Sequence, residues 1–182
     1  MKHFINALKL FIVLSVLTGI IYPALITMIA QTAFSRQANG DEYLIAQKFD
    51  KAKYFWPRPS AADYSTLPSG ASNLSATSKN LKDRVAKTKA MILASDRTQK
   101  EKDIPSDMLY ASGSGIDPHI SPDSAVFQSD RVAKARKLDR KTVLGMISAS
   151  VENRQFDVFG DRRVNVLKLN KLLDDYSRKG IK

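Results

Sequence analysis

The chain has 182 residues, a net charge of +11 from 29 Lys and Arg against 18 Asp and Glu, no cysteine and two histidines. That length suits one ordinary domain plus an accessory segment. The missing cysteines exclude disulfides, thiolate metal ligands and a thiol nucleophile, and His3 and His119 alone cannot build a multi-histidine metal site.

Residues 1–9 form a short tail carrying Lys2 and Lys9. From Leu10 to Ser35 there is no charge over 26 residues. At about 1.5 Å per residue a helix of that length reaches about 39 Å, more than a bilayer core of roughly 30 Å. A cleaved signal peptide would hold an apolar core of only about 7–15 residues before a small-residue site. The stretch 10–35 is therefore expected to be a retained transmembrane helix. Pro23 removes a backbone donor mid-span and bends it. Thr18 and Gly19 lie one turn earlier, where a hydroxyl or a close neighbouring helix compensates. Small residues at Gly19, Ala24 and Ala30 point to helix contact inside the membrane, which makes Thr18, Gly19, Tyr22 and Pro23 the candidate partner-contact positions. Basic residues tie across the span, Lys2 and Lys9 against Arg36 and Lys48. The free amine and the tail's lack of acids tip the expectation to a cytoplasmic N-terminus, with residues 36–182 outside.

All acidic residues follow position 40. The domain 36–182 thus carries 27 basic and 18 acidic residues, a net +9. Its basic residues are dispersed among acids with no aromatic-interleaved stripe, so nucleic acid is not the expected partner. Anionic lipid headgroups or an acidic protein fit better.

Along the domain, Tyr43–Phe49 reads as a short strand. Residues 54–73, with Pro57, Pro59 and Pro68, read as loop. Ser78 is placed to cap a helix in which Leu81, Val85, Thr88 and Ile92 share a face. Residues 96–106 are polar and read as surface loop. Ser121 before Pro122 marks a helix start, and Asp139 another, with Val143, Leu144 and Ile147 inward. Residues 164–170 (VNVLKLN) alternate and read as a strand followed by a short amphipathic end. This mixture predicts a single α+β domain.

The segment 111–125 (ASGSGIDPHISPDSA) concentrates residues that often carry chemistry. A phosphate cradle would use Gly113 and Gly115, but Asp117 would face the anion and no G-K-[ST] follows. A triad from Ser112 or Ser114 with His119 and Asp117 or Asp123 lacks the local spacing and the G-x-S-x-G elbow. Two aspartates are too few for calcium. A shaped turn accounts for the residues better: glycines for unusual backbone angles, Asp117 before Pro118 starting a turn, His119 bracing it, and Ser121 capping a helix. No catalytic or metal-binding residue is expected here.

The chain resembles the C subunit (KdpC) family of the bacterial Kdp potassium-transporting ATPase. Thr18-Gly19 and Tyr22-Pro23 carry the resemblance in the span, and Ala38-Asn39-Gly40 just after it. Leu44-Ile45, Gln47, Phe49, Tyr54-Phe55 and Arg58-Pro59-Ser60-Ala61 continue it, with Ser69-Gly70 and Ser72-Asn73-Leu74. It runs on through Ser112-Gly113-Ser114-Gly115 and Asp117-Pro118-His119-Ile120-Ser121 to Gln128, Arg131-Val132-Ala133, Ala135-Arg136, Val164-Asn165-Val166 and Leu169-Asn170. The segment before Leu44 is shorter than is usual in the family, and Ala46 stands where the family has Gly.

The resemblance implies a non-catalytic accessory subunit of the bacterial inner membrane. Its implied partners are a channel-like potassium-binding subunit, a P-type ATPase subunit and a small membrane peptide. It implies assembly of that complex and a raised affinity of the ATPase subunit for ATP, as a catalytic chaperone. No cofactor is expected on this chain alone; ATP and potassium act at the level of the complex. An extracytoplasmic domain would act on ATP indirectly, whereas direct contact would fall to Gln47 or Gln128. The alternatives are a membrane-anchored envelope hydrolase built around His119 and a stand-alone lipid-surface-binding protein.

Overall fold

The computed structural model describes residues 1–35 and 43–179. Ala38-Asn39-Gly40 lies outside the described residues. The chain divides into two units, Met1–Glu42 and Tyr43–Lys182.

The first unit is a continuous helical run, Lys2–Ala33, of 32 residues with a mean hydropathy of 2.3 over its apolar window, none of it buried. Among the described residues it is the one helix long and apolar enough to cross a membrane. It begins at Lys2 rather than Leu10, so both lysines of the tail lie on the helix. Two α-helical segments, α1 (Lys2–Val16) and α2 (Tyr22–Ala33), flank a π-helical turn at Leu17–Ile21. Pro23 explains that turn. It has no amide hydrogen, and in regular α-helix its ring would crowd the carbonyl four residues back, that of Gly19. Widening the preceding turn relieves the crowding, and the Tyr22 amide donates to the Leu17 carbonyl. The Thr18 hydroxyl donates instead to the Leu14 carbonyl at 2.7 Å. The backbone, not the hydroxyl, thus accommodates the proline.

The second unit is α+β. Helix α3 (Lys79–Ser95) follows Ser78 and buries Ile92, with Leu81, Val85 and Thr88 half-buried along the same face. Strand β1 (His119–Ile120) leads into α4 (Pro122–Arg136), whose N-cap Ser121 accepts a hydrogen bond from the Ser124 amide. Lys137, at φ 57°, ends α4 in a left-handed residue. The Leu138 amide donates to the Ala133 carbonyl and that of Lys137 to Lys134, the paired pattern that closes a helix sharply. Asp139 then opens α5 (Arg140–Ala149), which buries Val143 and Ile147. Strands β2 (Val151–Glu152) and β3 (Arg163–Asn165) follow, and α6 (Val166–Lys179) ends the described chain. The sheet is antiparallel in the order β1-β3-β2, with Ile120 and Val151 both opposite Val164.

One apolar cluster joins Phe55 and Ile120 to Val132, Val143, Ile147, Val164, Val166, Leu169 and Leu173. A second joins Trp56, Ile92, Ile104 and Met108. Phe55 and Trp56 therefore anchor neighbouring clusters through adjacent residues.

Three expectations are corrected. Residues 43–49 are not a strand; they run as irregular chain held by the Ala46 amide on the Ile116 carbonyl and by Asn165 Nδ2 donating to the Tyr43 carbonyl. Residues 96–106 are not merely surface loop: they contain a 3-10 turn, Glu101–Asp103, and bury Asp96 and Ile104. The strand read at 164–170 ends at Asn165, and residues 166–170 are helix. Asn165 makes the switch, since its Oδ1 accepts from the amides of Leu167 and Lys168, both at 3.1 Å. An asparagine in that role caps a helix.

Asn165 thus joins a helix cap to a tie on Tyr43. Asn165→Ala is expected to destabilise the fold by about 1–3 kcal/mol. Asn165→Asp, which keeps the cap and loses the donor, should cost less. Thermal unfolding of the purified full chain followed by near-ultraviolet circular dichroism checks the order; equal losses would remove the capping role.

Candidate functional site

The segments 58–64 and 112–121 meet as one structure. The Ser112 amide donates to the Pro59 carbonyl at 3.0 Å, and the Ser60 hydroxyl donates to the Gly115 carbonyl at 2.6 Å. Ser60 also accepts from the amides of Ala62 and Tyr64, while Arg84 donates to the Ser60 carbonyl at 2.7 Å. Gly115 is required here: its φ is +75°, and a Cβ would lie 2.8 Å from the Gly70 carbonyl oxygen. Gly113 differs, because a Cβ there would meet nothing within 4 Å. The buried Ser112 hydroxyl accepts from the Gly115 amide, and Ser114, exposed, accepts from that of Ile116. The buried Pro118 offers its carbonyl to the Val166 amide at 2.9 Å.

Asp117 closes the turn. Its Oδ1 accepts from the His119 amide at 3.0 Å and lies 3.1 Å from His119 Nδ1. Its Oδ2 lies 3.4 Å from Arg58. On the other side of the imidazole, Nε2 lies 3.9 Å from Glu152, which pairs with Arg163 and Lys168, each at 3.1 Å. The result is a ladder of polar contacts from Arg58 through Asp117, His119 and Glu152 to Arg163 and Lys168. Burial works to raise the Asp117 carboxyl. The hydrogen bonds from His119 and the charges of His119 and Arg58 outweigh it and hold the group below its ordinary value. Glu152 is likewise raised by burial and lowered, on balance, by its bond to Lys168 and the charges of Lys168, Arg163 and His119.

This geometry supplies no hydrolytic triad. Asp117 orients His119 as a triad acid would, but the far ring nitrogen meets a carboxylate. Among the described residues no serine hydroxyl bonds to the imidazole. A phosphate cradle fails as well, because the amides of Gly115, Ile116 and His119 are already taken by side chains of the same loop. An open cleft of about 290 Å³ lies beside the ladder, lined by Arg58, Asp107, Asp117, His119, Arg162 and Arg163 among others. Asp107 is committed to Ser121 and Ser124 at the start of α4.

The two glutamines separate. Gln47 is exposed. Gln128 is buried, with Oε1 accepting from the Trp56 amide at 2.8 Å and Nε2 donating to the Trp56 carbonyl at 3.1 Å. Both ends of its amide make hydrogen bonds inside the fold, where the side chain is buried. Asn170 does the same for Phe55, at 2.8 and 3.0 Å. Arg131 completes the brace. Its guanidinium stacks 4.0 Å from the Trp56 ring and donates to the carbonyls of Ala52 and Tyr54 and to Gln128. Burial pulls Arg131 down to about 10, against the opposing charge of Asp96.

In the membrane helix, Thr18 and Gly19 lie in the π turn, and Tyr22 and Pro23 open α2 directly after it. A Cβ at Gly19 would meet nothing within 4 Å. Reading the sequence alone gave no role to Arg58, Glu152, Arg131 or Asn170. Arg58 stood in a Pro-rich loop, and the partners of the others are brought to them only by the folded chain.

The chain matches the family model described as KdpC: K+-transporting ATPase, c chain, over residues 4–175. It is 43% identical over 178 residues to a potassium-transporting ATPase KdpC subunit of Leptospira interrogans, covering 92% of this chain and 91% of that protein. The protein of the same name from Burkholderia cenocepacia strain HI2424 is 43% identical over 188 residues, covering 96% and 97%. That from Paraburkholderia phytofirmans is 42% identical over 179 residues, covering 91% and 93%.

The two glycines of the loop should respond differently. Gly115→Ala is expected to cost about 1–3 kcal/mol, and Gly113→Ala within about 0.5 kcal/mol, by thermal unfolding. Comparable losses would refute the contact with Gly70. The depressed carboxyls of Asp117 and Glu152 stabilise the fold fully above the ordinary carboxylate value of about 4 and lose that contribution as pH falls through their lower folded values. Asp117→Asn should therefore flatten the acid side of the stability–pH curve. An unchanged acid limb would show that the ladder is not coupled to folding.

Proposed function

The chain belongs to the KdpC family, the C chain of the K+-transporting ATPase, and from that membership we propose that it is an accessory, non-catalytic subunit of a high-affinity, ATP-driven potassium uptake pump. Its work is to assemble and stabilise a channel-like potassium-binding subunit, a P-type ATPase subunit and a small membrane peptide, and to raise the affinity of the ATPase subunit for ATP. What carries the reading is the reach of the similarity, which runs through both the helix and the domain. The geometry supports it: among the described residues, the Asp117–His119 pair, which resembles part of a catalytic triad, meets Glu152 rather than a serine hydroxyl.

In this reading the helix lies in the bacterial inner membrane with its N-terminus in the cytoplasm, and the domain is extracytoplasmic. A helix that met only lipid would need neither a proline nor a widened turn, since unpaired backbone groups are costly in hydrocarbon. Leu17–Ile21 and Pro23 are accounted for by a neighbouring helix approaching at Gly19. The effect on ATP is then indirect. The subunit favours the partner conformation that binds nucleotide more tightly, which requires differential contact with two states and no nucleotide site of its own. ATP and potassium act at the level of the complex, and the buried amide of Gln128 fits the indirect route. Should the nucleotide be met directly, Gln47 is the glutamine free to do it.

The test is the purified pump reconstituted with and without this chain. Half-saturating ATP is expected to rise about fivefold or more without it, the lower end of ordinary coupling energies. Gly19→Leu should lower the yield of complex in detergent several-fold while the chain still enters the membrane. An ATP dependence indifferent to the chain would overturn the chaperone role, and a normal yield with Gly19→Leu would overturn the helix contact.

A further inference from the structure

The hairpin joining β2 to β3 carries three large apolar side chains in the open: Phe156 is 90%, Val158 70% and Phe159 65% exposed. None contributes to either apolar cluster. The hairpin is nonetheless well held. Gln155 and Phe159 exchange backbone hydrogen bonds, both at 2.9 Å, and the Val158 amide donates to the Gln155 carbonyl at 3.2 Å. The two central residues, Phe156 and Asp157, have φ of 53° and 58°. Such a turn favours Asn-Gly, and a phenylalanine there is a backbone outlier. A strained backbone that holds an aromatic ring in water gives the fold nothing, and retained strain of this kind points to use.

The flanks are charged. Arg154 and Asp161 pair at 3.4 Å on the surface. Arg162 is exposed and makes no ion pair or side-chain hydrogen bond. It lines the cleft beside the ladder, where Arg58 keeps a buried Nε without a partner. The carboxylates of that cleft already have donors within the fold, Asp107 from Ser121 and Ser124, Asp117 from His119, and Asp161 from Arg154. Among the described residues Arg162 is the one charged side chain lining that cleft with no partner in the fold, so the surface beside the apolar tip offers a guanidinium to a carboxylate on another chain.

We propose that this hairpin, through Phe156, Val158 and Phe159 with Arg162 beside them, is a protein-docking element that seats in an apolar groove of another chain of the potassium-transporting ATPase, with a carboxylate at its edge for Arg162. The inference rests on the accessory-subunit reading and names the surface it uses. Asp157 decides against lipid as the occupant. It stands at the apex between Phe156 and Val158, where insertion would carry a carboxylate past anionic headgroups toward hydrocarbon. A protein groove can supply that carboxylate with a donor. The preformed turn also lowers the ordering cost of docking.

The absence of cysteine permits a clean test. Full-length Phe156→Cys, labelled with an environment-sensitive fluorophore before assembly, is placed in nanodiscs of phosphatidylethanolamine and phosphatidylglycerol, alone and within the assembled pump. Alone, the label should emit as in water and be quenched freely by iodide. In the complex its emission should shift to the blue and iodide access fall several-fold. A blue shift already present in nanodiscs alone assigns the tip to lipid and overturns the proposal, as does equal iodide access in both samples. In parallel, Phe156→Ser with Phe159→Ser should lower recovery of the complex at least tenfold. Its thermal unfolding should match that of the unaltered chain, since these rings are not part of the core. Undiminished recovery overturns the proposal. A labelled chain that joins the pump with its tip still open to iodide defeats the hairpin alone, whereas an unaltered chain that never joins the pump defeats both readings.

Discussion

Two side-chain amides hold the second unit together. Phe55 and Trp56 are buried and extended, yet neither belongs to a sheet. Asn170, from α6, supplies an acceptor and a donor to the peptide groups of Phe55, and Gln128, from α4, does the same for Trp56. Successive peptide groups of an extended chain face opposite ways. The two helices therefore grip this dipeptide from its two sides, each amide acting as a one-residue strand. Each of the four backbone groups would cost about 1–3 kcal/mol if buried without a partner. The arrangement lets a loop with several prolines cross the core. It also places the Phe55 ring in one apolar cluster and the Trp56 ring in the other.

The rest of the unit follows from that grip. Arg131 reaches Gln128, Ala52 and Tyr54 from the same helix and covers the Trp56 ring. With residues 52–56 fixed, Arg58, Pro59 and Ser60 come up beside the glycine-containing loop. There Gly115 lets two backbones approach where a methyl group would not fit. Asp117 can then meet both Arg58 and His119. The ladder that ends on Arg163 and Lys168 ties this loop to the sheet and to α6. Its two carboxylates are both paired and most of its groups are partly buried, which suits a device for holding shape rather than for moving protons.

The membrane helix follows a different rule, because in hydrocarbon the backbone must satisfy itself. Pro23 breaks that condition locally, and the π turn before it spreads the disturbance over Leu17–Ile21. The exposed apolar hairpin is a second local departure from what folding alone would choose. Both features lose their oddity in a chain whose working state is a complex with other chains.

Features that depend on near neighbours were legible in the residue order. The uncharged run predicted the membrane helix, Ser121-Pro122 and Asp139 predicted helix starts, and Asp117 before Pro118 predicted the turn that His119 braces. The ordered motifs identified the family along the whole chain. Tertiary structure decided what depends on distant partners. Tyr43–Phe49 has a strand-like composition, but Asn165 and Ile116, rather than a neighbouring strand, take its polar groups. The run at 164–170 alternates as a strand should, yet the Asn165 side chain satisfies the amides that begin a helix and turns the chain after one short pairing. Gln128 looks like any polar residue on a helix until Trp56, 72 positions earlier, is brought against it. A side-chain amide makes its two hydrogen bonds to whatever backbone is nearest, and only the folded chain decides which backbone that is.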